Sequence, residues 1–352
     1  MRKHRIISVF LAVCLMLSLA VVFTACEGGE ANQPTGGTTA GTTAANSSAD
    51  FLTTPKDPYT DPIKIGFVTN MIAHSVPVAW STGIERELQY YPNIQYQAFD
   101  GKNSAETQVQ LMQDLINQKY DCIILQAYDA AALAQSVVDA EKAGIPVINL
   151  NLDADTSHTA LISMVDYEAG QIVADEIAKA INETGNVVII QSPPGASLGV
   201  NREKGFRDQL AAKYPNIKII GAQNGEWLKE NAMTIMNSFM QANPQIDGVF
   251  AINDSMAEGA ALAAEAAGRL NDMVIWGADG EKDALTMIEQ GKLTGTVYTN
   301  CFQQGETAAR LALYVMSAGI AGSPKNSTPL VKMAPIPVTK DNVASIQPAD
   351  RW

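Results

Sequence analysis

Val249-Phe250-Ala251-Ile252-Asn253-Asp254-Ser255-Met256-Ala257-Glu258-Gly259-Ala260 is an apolar run that stops at three polar residues and continues as an alanine-rich helical pattern to about Gly268. The apolar start, with β-branched Val249 and Ile252, reads as a buried strand. Asn253, Asp254 and Ser255 are the residue types that cap helices, because a side-chain oxygen accepts an unpaired backbone N–H of the first turn. Two roles therefore compete for Asn253: a cap, or an amide fork pointed from a strand end at a ligand. The remainder of the chain decides between them.

Upstream and downstream, the same strand-then-helix rhythm repeats. Short β-rich runs begin near Ile63, Ile94, Asp121 and Ile145, with helical patterns such as Val109, Met112, Leu115 and Ile116 between them. A second series begins near Asn186, Ile217, Ile246 and Met273. The starts lie roughly 24 to 31 residues apart, the length of a strand plus a crossover helix. The expectation is an α/β chain with two parallel-sheet domains of similar size. Runs such as Ile145-Pro146-Val147-Ile148-Asn149-Leu150 are nearly apolar throughout, which fits sheets covered on both faces.

The chain has 352 residues and 47% hydrophobic content, enough for one large core or two medium ones. Arg2, Lys3 and Arg5 precede an apolar run from Ile6 to Phe23, the layout of a secretory signal over residues 1–25. Phe23-Thr24-Ala25-Cys26 resembles a bacterial lipobox, which implies cleavage before Cys26, lipidation of its thiol and anchoring to the outer face of the cell membrane. Residues 26–62 are rich in Gly, Thr, Ser, Ala, Asn and Pro and read as a flexible tether spanning about 30–36 Å. The net charge is −13, and cleavage removes only basic residues, which argues against nucleic acid as a partner.

Four cysteines are present. Cys14 would leave with the signal and Cys26 would carry lipid, while Cys122 sits in an apolar run and Cys301 in a polar junction; whether the last two pair is open. His4, His74 and His158 are scattered and no cysteine–histidine spacing resembles a metal site, so neither a metal nor a cofactor is expected.

Ligands of parallel α/β sheets bind beyond the carboxyl ends of the strands. Those ends carry Thr69-Asn70, Asp100, Gln126-Ala127-Tyr128-Asp129 and Asn149-Leu150-Asn151 in the first half. In the second they carry Gln191-Ser192, Glu226-Trp227, Asn253-Asp254 and Asp279. Amides and carboxylates recur there, with aromatics among them. Asn70-Met71-Ile72-Ala73-His74 lacks the glycines of a dinucleotide loop, and Ser197 lacks the context of a nucleophile elbow. Nothing pairs a nucleophile with a base, so no enzyme is expected.

Ile65-Gly66-Phe67-Val68-Thr69-Asn70, Gly144-Ile145-Pro146-Val147-Ile148, Asn201-Arg202-Glu203-Lys204-Gly205-Phe206, Val249 to Asp254, Gly277-Ala278-Asp279-Gly280 and Gly291 to Thr296 occur in order. Together they resemble the ribose-binding-protein-like branch of type I periplasmic binding proteins, the solute receptors of sugar ABC transporters, over about residues 63–343. The resemblance implies two Rossmann-like lobes, a ligand cleft between them and a hinge of three chain crossings, near Val165-Asp166, near Thr299-Asn300 and near Asn326 to Leu330. The N-terminal lobe would be residues 63–165 with 300–329, and the C-terminal lobe 166–299 with 330–345. Its partners would be a small solute, an ABC permease and its ATPase, with the receptor itself a monomer.

Family ligand contacts fall on Asn70, His74, Asn151, Trp227, Asn253, Asp279 and Thr299, and Arg202 matches the basic residue before the Gly-Phe pair. Asn253 thereby becomes a ligand residue, and Asp254 keeps the capping role. The sequence departs from ribose binders at Val76-Pro77, Asn151-Leu152 and Ala278, where an aromatic pair, an Asp-Arg pair and another aromatic are expected. Trp80, Tyr128 or Tyr298 are candidates to refill that space. A sugar, polyol or cyclitol is the leading ligand class. A nucleoside or furanose signal molecule is the alternative, as is a sensor role passing occupancy to a kinase or chemoreceptor.

Overall fold

The computed structural model of the protein describes residues 51–324 and 327–352. The signal segment, Cys14, the lipidation expected at Cys26, the tether up to residue 50 and Asn326 lie outside them.

The first lobe is built from β1 (Ile63–Thr69), α1 (Ser75–Leu88), β2 (Ile94–Asp100), α2 (Ala105–Asn117), β3 (Cys122–Leu125), α3 (Ala130–Lys142), β4 (Val147–Leu150) and β5 (Ala160–Met164). The chain then crosses at Val165 into α4 (Asp166–Ala180), β6 (Gly185–Gln191), α5 (Ser197–Lys213), β7 (Ile217–Asn224), α6 (Lys229–Ala242), β8 (Gly248–Ala251), α7 (Asp254–Ala266), β9 (Val274–Asp279), α8 (Lys282–Glu289) and β10 (Gly295–Tyr298). It returns to the first lobe as α9 (Cys301–Ala318) and β11 (Leu330–Met333), and β12 (Ile336–Thr339) crosses once more.

Each lobe holds a six-stranded sheet, in the orders β11-β5-β4-β3-β1-β2 and β12-β10-β9-β8-β6-β7. All neighbours are parallel except β12, which runs antiparallel to β10. Central strands β3, β4 and β8 are buried along their whole length, as sheets covered by helices on both faces require. Cys122 and Cys301 are both free and buried in the first lobe's core.

In both lobes helices touch backbone to backbone at glycines, and one of these crossings bears on the cleft. A Cβ on Gly170 would lie 1.9 Å from the Arg202 carbonyl, and one on Gly205 2.0 Å from the Tyr167 carbonyl, so α4 and α5 cross at glycine on both sides. The close crossing brings Arg202 of α5 beside Asp166 at the start of α4.

The structure differs from the sequence expectation at two boundaries. Residues 51–62 belong to the folded body rather than to the tether. Leu52 bridges to Ile320, Thr53 N–H donates to the Gly319 carbonyl at 2.7 Å, Lys56 N–H donates to the Met316 carbonyl at 3.0 Å, and Lys56 Nζ pairs with Asp121 at 2.6 Å. The last carbonyls of a helix have no partner within it, and this strap supplies partners at the end of α9. The third crossing lies at Ala334-Pro335, not near residues 326–330. Leu330–Met333 adds to the first lobe's sheet beside β5, because Val331 and Met333 pack on that lobe's core. Trp352 also seats in the first lobe's core, and its indole donates to the Thr299 carbonyl, so the last residues brace the hinge.

Candidate ligand-binding site

Parallel strands deliver their carboxyl ends to one edge of each sheet, and the two edges face each other. Between them lies a cavity with about 470 Å³ of space not filled by atoms, part of it open to solvent. The first lobe contributes Asn70 after β1, Gln126 after β3 and Asn151 after β4. The second contributes Trp227 after β7, Asn253 after β8 and Asp279 at the end of β9. Met71, Val76, Pro77, Trp80, Leu152 and Leu198 form the apolar part of the wall.

The lobes are shut over this cavity. Asp153 N–H donates to Ser197 Oγ at 2.9 Å, Ala130 N–H to the Gly195 carbonyl at 3.3 Å, and Ser75 Oγ to Glu281 Oε2 at 2.8 Å, all across the cleft. His74, at the start of α1, bonds the Trp227 backbone; burial lowers its pKa despite that bond and the nearby Asp279 charge.

The wall amides are oriented by bonds to their own oxygens. Gln126 Oε1 accepts Thr69 Oγ1 at 2.6 Å and Asn70 N–H at 3.1 Å. Asn70 Oδ1 accepts Met71 N–H, and Asn253 Oδ1 accepts Met256 N–H, both at 3.0 Å. Asn151 Oδ1 takes a longer bond from Ser163 Oγ, 3.4 Å. Each amide NH2 is then what the side chain has left to offer the cavity. Trp227 Nε1 is a buried donor without a protein partner, and Asn103 Oδ1 a buried acceptor without one. Asp279 spends one oxygen on Arg202; burial pushes its pKa up, against the pull of that guanidinium.

Backbone strain gathers here. Among the described residues nine non-glycine positions have positive φ, and four of them line the cavity: Asn103 at 50°, Asn151 at 66°, Trp227 at 64° and Asp279 at 123°. Such conformations cost of order 1–3 kcal/mol each and persist where a site requires them.

Of the residues expected from the sequence, Asn70, His74, Asn151, Trp227, Asn253, Asp279 and Trp80 line the cavity. Four do not. Arg202 is fully buried beneath it, its fork taken by Asp166, Asp279 and the Ile252 carbonyl. Thr299 gives its backbone carbonyl to the Trp352 indole N–H while its hydroxyl is buried without a partner, and Tyr298 bonds the Asp350 carbonyl. Tyr128 reaches across the cleft to Glu226 as a contact between lobes. Asn253, not Asp254, caps α7. Asp254 accepts Gly280 N–H, Glu281 N–H and Thr296 Oγ1, fastening the turn after β9. Trp80 Nε1 is spent on Gln304, leaving only its ring for the cavity.

Gln126 and Asn103 join the set as wall residues beyond the expected ones. Gln126 ends an apolar run like the other strand-end amides, and that position is its signal. Asn103 sits in the β2–α2 loop, where only the tolerance of Asn for left-handed backbone hints at a special place.

A family model for the periplasmic binding protein domain matches residues 65–320. The chain belongs to that family. It is 34% identical to the xylitol-binding protein of Mycolicibacterium smegmatis over 71% of this chain and 70% of that protein. It is 29% identical to the ribose import binding protein of Bacillus subtilis, over 70% of this chain and 78% of that one. An ABC transporter solute-binding protein from Bacillus halodurans, solved with bound myo-inositol, superposes with a TM-score of 0.74 at 25% identity, covering 81% of this chain and 96% of that one. These relatives are solute-binding proteins of the ribose-binding-protein-like type, not enzymes, and the two-lobed fold of this periplasmic binding protein is theirs.

Proposed function

We propose that this periplasmic binding protein captures an uncharged polyhydroxylated solute, a sugar, polyol or cyclitol, and delivers it to an ABC permease from a lipid anchor at Cys26. The observation that carries the solute class is the polarity of the cavity wall. Its available groups are mostly donors, the amide NH2 of Asn70, Gln126, Asn151 and Asn253 and the indole N–H of Trp227, set against the Asp279 carboxylate and Asn103 Oδ1. A hydroxyl offers two lone pairs for every proton, so a polyol presents this same excess of acceptors. Among the described residues no lysine or arginine lines the cavity to hold a phosphate or carboxylate, and an ammonium group would meet mainly N–H dipoles. The apolar wall and the Trp227 face suit the C–H side of such a solute. That relatives are named for xylitol and ribose, and one holds myo-inositol, supports the same class.

The test is a thermal-shift panel of polyols, cyclitols, pentoses, hexoses and nucleosides on the mature chain carrying Cys26→Ser. A bound solute at 100 times its dissociation constant adds about 2.7 kcal/mol to stability. Stabilisation by a hydroxylated, uncharged compound is expected; stabilisation by nucleosides alone, or by nothing in the panel, would overturn the solute class. The anchor is tested separately by labelling cells with a radioactive fatty acid, which should mark the wild type and not Cys26→Ser.

A further inference from the structure

Glu281 occupies the N-cap position of α8 without capping it. Its carboxyl turns to the cleft instead, where Oε2 accepts Ser75 Oγ at 2.8 Å from the opposite lobe and both oxygens accept Ser255 Oγ at 3.0 and 3.1 Å. It is 6% exposed. The groups around it are nearly all acidic or neutral. Asp279 on β9, Asp254 and Glu258 on α7 and Asp283 on α8 are the acids; His74 stands beside Ser75, the Cys301 thiol at the start of α9 and Tyr298 on β10. Lys229 on α6 pairs with Glu258 and lies within electrostatic reach of Glu281, Arg202 pairs with Asp166 and Asp279, and Lys282 is exposed. A carboxyl buried among acids, with no direct ion pair among the described residues, bonds directly to the other lobe.

We propose that Glu281 is a positioning residue that holds the lobes shut through Ser75, and that closing takes up one proton from solvent at its carboxyl. This rests on reading the cleft as the solute site. When the lobes part, Ser75 withdraws, water reaches the carboxylate and it ionises. When they shut, the neutral acid gives its O–H to one serine hydroxyl and keeps an oxygen for the other. Burial first, and then the charges of Asp254 and Asp279, push the closed-state carboxyl up to about 8. Between the ordinary glutamate range and that value the closed form binds more protons than the open one, so the closed fraction falls as pH rises and levels off above it. His74, whose pKa burial lowers, acts in the opposite direction, so the Glu281 contribution is read as a difference between variants.

The experiment uses the mature chain with Cys26→Ser and a dye pair on Val109→Cys and Val200→Cys, exposed positions on opposite lobes. Energy transfer gives the closed-to-open ratio from pH 6 to 8.5, without solute and with xylitol or myo-inositol. We expect that ratio to fall roughly 50- to 100-fold in the wild-type background, about two pH units lying between pH 6 and the closed-state value at a factor of ten each, and less than twofold in Glu281→Gln. Ser75→Ala should lower the closed fraction at pH 6 and flatten the profile, and it carries the test if Glu281→Gln does not fold. A pH dependence equal in wild type and Glu281→Gln, or absent from both, would overturn the proposal. Failure of both solutes to change the ratio would count against the solute class, while the solute-free profile still decides the role of Glu281.

Discussion

Arg202 Nη2 lies 2.8 Å from Asp279 Oδ1, with the arginine fully buried and the aspartate at the cavity wall. The same guanidinium holds Asp166 Oδ1 at 3.0 Å and the Ile252 carbonyl at 2.8 Å, one residue before Asn253. A single buried cation thus ties the start of α4 to the ends of β8 and β9, and so orients two residues of the candidate site.

Removing Asp279 should therefore cost stability as well as binding. Asp279→Ala leaves Arg202 with one carboxylate where it had two, and breaking a buried ion pair costs about 3–5 kcal/mol. Asp279→Asn keeps an acceptor for the guanidinium and should lose less. Urea unfolding of the two variants checks the order; equal losses would mean the pair contributes little.

Trp227→Phe is the cleaner probe of the cavity. The indole N–H has no protein partner, so the solute-free melting temperature should stay near wild type. Affinity for the bound solute should weaken by roughly 5–13-fold, the loss of about 1–1.5 kcal/mol for one hydrogen bond. Calorimetric titration of both proteins measures it. Unchanged affinity would leave Trp227 a stacking surface only.

The position of Asn253 was legible in the sequence because an abrupt stop of an apolar run at Asn-Asp-Ser is a local signal. Its two roles were not alternatives: the amide oxygen caps α7 while the NH2 is left to the cavity. The work of Asp254 was hidden because its partners lie 26 to 42 positions away in sequence. Arg202 matched the family pattern, yet which way its fork turns depends on the Gly170–Gly205 crossing, which no local pattern announces. Thr299 lies off the cavity wall, and the Trp352 indole that bonds its carbonyl arrives from the far end of the chain.

Stability should fall from pH 5 to pH 8. Burial foremost pushes Asp254 and Glu141 up to about 7 and Asp166 up to about 6. These folded-state values lie above the ordinary carboxylate range, so the folded chain keeps protons that the unfolded chain has already lost. Their stabilisation is present at low pH and disappears as pH rises through 6 to 7. Asp254→Asn retains an acceptor for Gly280 and Glu281 N–H and should show a smaller drop. Chemical denaturation across the pH range reads this directly, and greater stability at pH 8 than at pH 5 would reverse the sign.

A chain shortened to begin at residue 63 loses the strap on α9. Three backbone bonds, Thr53 and Lys56 to the helix end and Ala321 to Phe51, go with it. At about 0.5–1.5 kcal/mol each, the loss should be roughly 2–4 kcal/mol relative to a chain beginning at residue 51. Matched melting curves would place residues 51–62 outside the folded body.

The solute proposed for the cavity between Asn70, Asn151, Asn253, Trp227 and Asp279 is uncharged and polyhydroxylated. Isothermal titration of the mature Cys26→Ser chain with xylitol, myo-inositol, ribose and adenosine tests it most directly. Saturable one-to-one binding of at least one of the first three is expected, weakened by both Trp227→Phe and Asp279→Asn. Binding of adenosine alone, or binding of a polyol indifferent to both substitutions, would contradict it.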